Sequence, residues 1–430
     1  MIFTTTNSST FTQEFDELLG RGKMDMAHVS AIVQNIIDEI KSDKNDALIR
    51  HISKFDNWIP QSGEDLKISK DAMSKAYDEL DSELKKSLHL AYDRIKIYHE
   101  KQKPKSWFDD EANGTILGQR VTPVDSAGLY IPGGKAAYPS SLLMNVIPAQ
   151  VAGVENIVVC TPTPDNEPNS LLLAACHLCG VSEVYKVGGA SAIAAMAYGT
   201  ESIPKVDVIT GPGNIFVATA KKMVFGDVNI DMIAGPSEIG VLADESANAN
   251  HLAIDLLSQA EHDEMASSIL ITPSQKLADE VKVELENWLQ KLPRQEIARK
   301  SIEERGAIIV SSTMEEAIEL MNKIAPEHLE VATNSPFELL PLIKHAGAIF
   351  LGHFTPEAIG DYIAGPNHTL PTGGTAKFYS PLGVENFMKK SSIIAFSQKA
   401  INEIGEECAL IAHTEGLTAH EESVRVRLSK

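Results

Sequence analysis

Cysteine is scarce in this chain, four among 430 residues, which excludes a disulfide framework as the source of its stability. Cys176 and Cys179 form a C-x2-C pair, but no second pair follows to complete a zinc ribbon. The preceding Leu171-Leu172-Leu173-Ala174-Ala175 reads as a buried apolar helix. All four thiols, Cys160 and Cys408 included, are therefore expected to be reduced and buried. Positive charge is also short: 38 Lys and Arg stand against 59 Asp and Glu, a formal net charge of −21. That sign opposes a phosphate backbone, and no basic stripe with interleaved aromatics occurs, so nucleic acid is excluded as a partner. A negative surface favours a cationic small substrate instead.

No basic region followed by an apolar run stands at Met1-Ile2-Phe3-Thr4-Thr5-Thr6, so no signal peptide is predicted. The most apolar stretch, Leu142 to Cys160, is interrupted by Asn145, Gln150 and Glu155. It is too polar to span a bilayer, and a cytoplasmic protein without membrane contact is expected. There is no internal repeat, no low-complexity tract and no G-x-G-x-x-G.

What the chain has is length and rhythm. At 430 residues, with 43% hydrophobic and 23% charged residues, it fits a soluble globular protein of two or more domains. Residues 25–103 read as helical, with Ile32, Val33, Ile36, Ile37 and Ile40 on one face. From Gly128, short apolar runs alternate with helices: Ile157–Cys160, Val184–Val187 and Val206–Thr210 precede helices starting near Asn169, Ser191 and Asn214. After Gly235-Pro236-Ser237 the rhythm restarts, with strands Ile239–Leu242, Ser268–Ile271, Ala307–Val310, Leu329–Ala332 and Ala348–Leu351. Helical patterns at 248–260, 275–290, 314–324 and 336–345 lie between most of them. The fold class predicted is α/β, two successive arrays with parallel-rich sheets.

The chemistry concentrates near turns. Pro326-Glu327-His328, Gly360-Asp361-Tyr362 running into Gly365-Pro366-Asn367-His368, and Glu415-Gly416-Leu417-Thr418-Ala419-His420 set carboxylates and imidazoles beside Gly or Pro. Gln259 and His262 share one face near the end of a core helix, where they would cap or solvate it if they had no other task. Zinc accepts nitrogen and oxygen ligands, and Gln259, His262, Asp361 and His420 together offer both. With one carboxylate among them the site stays electrophilic, suited to an amine or imidazole as an added ligand. Pro326 disfavours helix at Ala325, so Glu327 and His328 sit at a loop-to-strand junction, a salt-bridged pair or an acid–base pair. Adjacent strand positions face opposite sides, so the two need not share a role. Two glycine-rich turns, Pro132-Gly133-Gly134-Lys135 and Gly211-Pro212-Gly213-Asn214, would let backbone N–H groups approach a phosphate, or serve only as tight turns.

Taken together these segments resemble the histidinol dehydrogenase family over nearly the whole chain. The resemblance runs through Leu129-Tyr130-Ile131-Pro132-Gly133-Gly134, Val187-Gly188-Gly189-Ala190, Ala234-Gly235-Pro236-Ser237-Glu238, Leu257-Ser258-Gln259-Ala260-Glu261-His262 and the three segments above. It implies oxidation of L-histidinol to L-histidine through the aldehyde, using two NAD and one zinc per subunit, at the end of histidine biosynthesis. Zinc would be held by Gln259, His262, Asp361 and His420. Substrate would contact Ser237, Gln259, His262, His328, Asp361, His368, Glu415 and His420. NAD would lie near Tyr130, Ser191 and Asn214, with Ser191 standing where much of the family has Gln. A shorter side chain reaches less far, so that contact is expected to be lost or bridged by water.

The resemblance also implies an intertwined homodimer in which the tail completes the partner's site. Its expected layout is an arm at 1–24, a first incomplete Rossmann-like domain at 25–128 and 238–380, a second at 129–237, and a tail domain at 381–430. His328 would take the alcohol proton in both steps, and Glu327 would activate water against the aldehyde, so no cysteine nucleophile is needed. The nearest rival is a zinc- and NAD-dependent dehydrogenase of the same fold acting on sulfopropanediol. Such an anionic substrate calls for basic residues where Glu415 and His368 stand. A zinc hydrolase would leave the glycine-rich turns without a task, and a plain binding module would leave the His, Asp and Glu set without one. Manganese or cobalt could occupy the same ligands.

Overall fold

The computed structural model describes residues 1–21, 26–133 and 138–429, so Gly134 and Lys135 of the first glycine-rich turn lie outside the described residues. Its strands, in chain order, are β1 (Ile2–Thr5), β2 (Trp107–Asp110), β3 (Ile116–Pro123), β4 (Ser126–Tyr130), β5 (Asn156–Cys160), β6 (Glu183–Tyr185), β7 (Val208–Thr210), β8 (Asn229–Ile230), β9 (Glu238–Ala243), β10 (Ser267–Thr272), β11 (Ala307–Val310), β12 (His328–Ala332), β13 (Ala348–Leu351) and β14 (Met388–Ala395). Two parallel sheets carry the fold. The larger runs β1-β11-β10-β9-β12-β13 and the smaller runs β6-β5-β4-β7-β8.

Helices cover both faces of the larger sheet, so β9, β10 and β11 are buried along their whole length. In each sheet the strand order reverses beside the first strand of its array, β9 in the larger and β4 in the smaller. The α/β rhythm expected from the sequence is the observed one, with β1 and β8 as added edge strands and two differences among the helices. Helix Gln295–Arg305 was not anticipated, and the helix expected at 336–345 stops at Leu339 before a 3-10 turn. Pro341, lacking a backbone N–H, accounts for the latter.

The grouping of segments differs from expectation. Residues 25–128 were assigned with 238–380, but Val33, Ile37, Leu48 and Ile52 pack with Ile193, Ala197 and Val217 of the smaller array. Met73, Leu88 and Ile95 likewise pack with Leu142, Ile147 and Leu172. Those helices bury their apolar faces on the smaller sheet's own helices. The presumed arm at 1–24 is partly built in: β1 edges the larger sheet, and Phe15 and Leu18 share a core with Leu242 and Ile318.

A third sheet, β14-β3-β2, is antiparallel and pairs the tail with residues 116–123. Helices Gln398–Thr414 and Thr418–Arg425 follow it and pack on each other. Cys160, Cys176 and Cys179 are free and buried, but Cys408 is exposed, because helix Gln398–Thr414 has a solvent face. Among the described residues no helix is long and apolar enough to cross a membrane.

Candidate active site

The site begins where β9 and β12 start side by side, with His328 opposite Ile239. Ala325 closes the preceding helix in the left-handed region at φ 53°. Pro326 then turns the chain into β12, as the loop-to-strand reading required. Glu327 stands just before the strand, so alternation does not separate it from His328: Glu327 Oε2 lies 3.8 Å from His328 Nδ1. The Glu238 backbone N–H donates to Glu327 Oε2 at 2.9 Å, and the Ser237 hydroxyl also bonds that carboxylate. The Glu238 side chain in turn accepts from the Gly373 N–H at 3.0 Å.

His328 is buried among anions. Its Nδ1 lies 3.2 Å from the Glu238 carbonyl and 3.6 Å from Glu357 Oε1, and its Nε2 is 3.4 Å from Asp361 Oδ1. Burial by itself would lower the imidazole pKa, but Glu357, Glu327 and Asp361 outweigh it and hold the pKa well above the ordinary value. Burial pushes Glu327 up to about 7, against the lowering influence of His328. It pushes Glu238 to about 8, with Glu327 adding to the rise.

Helix Glu357–Tyr362 presents Glu357 and Asp361 one turn apart on the same side. The segment after it is tied to the smaller array. Arg94 Nε–H donates to the Ile363 carbonyl at 2.8 Å, and Asn367 Nδ2–H to the Met144 carbonyl. His368 Nδ1 lies 2.9 Å from the Asp361 carbonyl, and desolvation keeps that imidazole's pKa low, outweighing the charge of Asp361. His328, Asp361 and His368 line a cleft of about 1060 Å³ that also touches Asn229 of β8 and Tyr98, so both arrays form its walls.

Gln259, in the last turn of helix Ala249–Ala260, is fully buried. Its Nε2 lies 3.1 Å from His262 Nδ1, while its Oε1 is buried with no protein partner. The His262 side chain is exposed, yet the protein crowding it lowers its pKa, against the raising influence of Asp361. An orphaned carbonyl oxygen, an imidazole and a carboxylate in electrostatic contact form a donor set that fits a zinc ion. His328, Glu357 and Asp361 also bring donor atoms within 4.8 Å of one another, a spacing that could hold a metal ion. A charged His328 already offsets those two carboxylates, however, whereas Gln259 Oε1 is left wanting.

His420 does not join this group within one chain. It is exposed on helix Thr418–Arg425 and lines a separate surface pocket with Glu415 and Ile411. On the smaller array, the Gly189 N–H donates to the hydroxyl of buried Tyr130 at 3.2 Å. Asn214 caps the next helix, accepting from the Phe216 and Val217 N–H groups. The Ser191 hydroxyl is buried against His51 Nδ1 at 2.9 Å, so it is committed within the protein. Sequence reasoning assigned no role to Glu238 or Glu357. The i, i+4 spacing to Asp361 was the available signal for Glu357, and an acid opening the apolar run of β9 was the signal for Glu238.

The sequence model of the histidinol dehydrogenase family matches residues 19–428. The chain is 83% identical over 430 residues to a histidinol dehydrogenase of Sulfurimonas denitrificans, covering 100% of both. It is 68% identical over 418 residues to that of Wolinella succinogenes, covering 97% of each. The crystal structure of histidinol dehydrogenase from Elizabethkingia anophelis superposes with a TM-score of 0.93 at 36% identity, over 99% of this chain and 98% of that one.

Proposed function

This chain belongs to the histidinol dehydrogenase family, and we propose that it oxidises L-histidinol to L-histidine with NAD as oxidant and zinc as its metal. The single observation that carries the site assignment is the convergence of Glu327 and Asp361 on His328, which lines the cleft, with an unpartnered Gln259 Oε1 beside His262. When bound, NAD supplies the hydride acceptor and zinc a Lewis acid that anchors the substrate's imidazole and amine.

Gln259, His262 and Asp361 would hold the metal, together with His420 of the partner subunit. With Asp361 committed to a metal, one fewer anion would hold His328 charged, and its imidazole would be available as base. His328 Nε2 then takes the alcohol proton as the carbon–hydrogen bond is broken. In the second half-reaction Glu327, with its pKa near 7, takes a proton from the water that attacks the aldehyde carbon. His328 again accepts the hydroxyl proton as the hydrate is oxidised. Ser237 and His368 would border the reacting position, and Glu415 of the partner subunit would pair with the substrate's ammonium group. Tyr130, Asn214 and the turn at Gly211–Gly213 would form the floor for NAD, with Ser191 turned inward.

The reading has a direct test. Full-length protein mixed with L-histidinol and NAD should produce two equivalents of NADH per substrate, and chelation should abolish the signal until zinc is restored. A preparation with metal bound that makes no NADH from histidinol would refute it.

A further inference from the structure

The smaller sheet, β6-β5-β4-β7-β8, reads third, second, first, fourth and fifth in chain order. An open parallel sheet wound this way binds a dinucleotide outside the carboxyl ends of its strands, where the order reverses, here between β4 and β7. The cleft shared by the two arrays touches Asn229 of β8, on the β7 side of that reversal. A nicotinamide reaching His328 would lie on that side, which puts the adenosine half over β5. There a pocket of about 320 Å³ opens between the turn after β4 and the loop after β5, lined by Gly133, Tyr138, Thr161, Pro162, Glu167 and Asn169. A Cβ on Gly133 would come within 2.9 Å of the Pro162 carbonyl oxygen, so turn and loop pack directly on each other. Thr161 lines the pocket at 1% exposure, with its hydroxyl oxygen buried and unpartnered. A hydroxyl left so calls for a polar ligand.

We propose that Glu167 selects NAD over NADP by accepting hydrogen bonds from the adenosine ribose hydroxyls in this pocket. The proposal rests on the dehydrogenase reading above. In a sheet of this order the acid that reads the adenosine ribose stands beyond the second strand, and β5 is that strand. Its loop offers Asp165, Asn166 and Glu167 in a row. Asp165 accepts from the Asn57 side-chain amide at 2.5 Å, and Asn166 accepts from Lys186 Nζ at 2.8 Å. Glu167 alone of the three lines the pocket, and its carboxylate has no partner among the described residues.

Charge decides between the two cofactors. The carboxylate is an acceptor only, so it suits the free ribose hydroxyls of NAD. In NADP the 2′-hydroxyl carries a phosphate, whose charge would meet that of Glu167. No Lys or Arg lines the pocket among the described residues to offset the repulsion. Asn169 caps helix Ser170–Leu178 through its side-chain oxygen, which accepts from the Leu171 and Leu172 N–H groups, so its amide nitrogen is left to donate. The Ser191 hydroxyl is committed to His51, so recognition of the adenosine end falls to the pocket over β5. A carboxylate that merely solvates the loop would account for Glu167 but not for the orphaned Thr161 hydroxyl in the same pocket.

The test uses zinc-loaded full-length protein as wild type, Glu167→Gln, Glu167→Arg and Asp165→Asn. NAD and NADP are titrated by calorimetry without histidinol, and kcat/KM is measured for each with it. Wild type should bind NAD at least about tenfold more tightly than NADP. Glu167→Gln should weaken NAD by about three- to tenfold and strengthen NADP, and Glu167→Arg should reverse the preference. Asp165→Asn should leave the ratio as it was, and KM for histidinol should hold in all three. Glu167 is exposed, so its replacement does not threaten folding. A ratio that stays within about twofold of wild type in both Glu167 variants overturns the assignment. So does an equal loss of both cofactors, or a shift in ratio confined to Asp165→Asn. Wild-type protein that binds NAD but makes no NADH from histidinol would instead sink the functional reading, with the binding ratios still judging Glu167.

Discussion

Glu238 and Glu327 brace each other across two strand starts: the Glu238 N–H donates to Glu327 Oε2 at 2.9 Å, and both carboxyls are buried. Repulsion from Glu327 raises the Glu238 pKa beyond what burial does alone, while burial raises Glu327 against the lowering influence of His328 and of the bond from the Glu238 N–H. A carboxyl poised near neutrality can take a proton from water and return it, which an exposed glutamate does poorly at pH 7.

Glu327→Gln keeps the bond from Glu238 but cannot accept a proton. Alcohol oxidation, followed as the first NADH, should stay within about threefold of wild type, while oxidation of supplied aldehyde should drop about 10²-fold or more. Equal losses in the two assays would remove Glu327 from its assigned role. His328→Asn should depress both steps by about 10²–10⁴-fold with the metal still bound by elemental analysis.

Glu238→Gln addresses stability. The carboxyl is raised to about 8 in the folded chain and sits near 4.3 unfolded. The folded state therefore binds the proton more tightly, and this group's contribution is lost as pH rises from the unfolded towards the folded value. Wild-type stability should decline with pH across that window by up to about 1.4 kcal/mol per pH unit from this group. The Gln variant should show a flatter urea-midpoint profile between pH 5 and 8; parallel profiles would contradict the raised pKa.

Much of the site could be read before folding because its signals were local. Pro326 marked the junction that presents Glu327 and His328, and the helical spacing put Gln259 and His262 on one face. Buried parallel strands announced themselves as apolar runs between turns. Glu238 was different. An acid within an apolar run looks like a flaw in the pattern until β9 and β12 become neighbours, and sequence separation hides that contact. The helices at 27–100 posed the same problem. Their apolar stripes say that they pack, but not on which sheet.

Gly211 is a position where only glycine fits. Its φ is 115°, and a Cβ there would lie 2.0 Å from the Tyr130 carbonyl oxygen. Its N–H donates to Asp231 at 2.9 Å, its carbonyl accepts from Lys221 at 2.9 Å, and Lys221 and Asp231 form a buried ion pair. The obstructing atoms are backbone, so nothing can swing aside. Gly211→Ala should cost about 2–4 kcal/mol in urea unfolding and raise KM for NAD more than KM for histidinol. A variant as stable as wild type would mean the turn relaxes freely.

The tail offers the last prediction. Glu415 and His420 are exposed, and helix Gln398–Thr414 before them exposes Ile404, Leu410 and Ile411. Apolar side chains grouped beside a metal-ligand type and a carboxylate fit a surface that a second copy covers. If each tail serves the partner's cleft, His420→Ala and His328→Asn homodimers should both be inactive. A dimer formed from one chain of each kind then pairs an intact cleft with an intact tail at one of its two sites. Random mixing by co-refolding should recover about a quarter of wild-type activity, because half the dimers are mixed and each has one working site. If the tail instead served its own chain, every site in the mixture would carry one defect. The mixture would then stay as inactive as its components, and the shared-site arrangement would have to be abandoned.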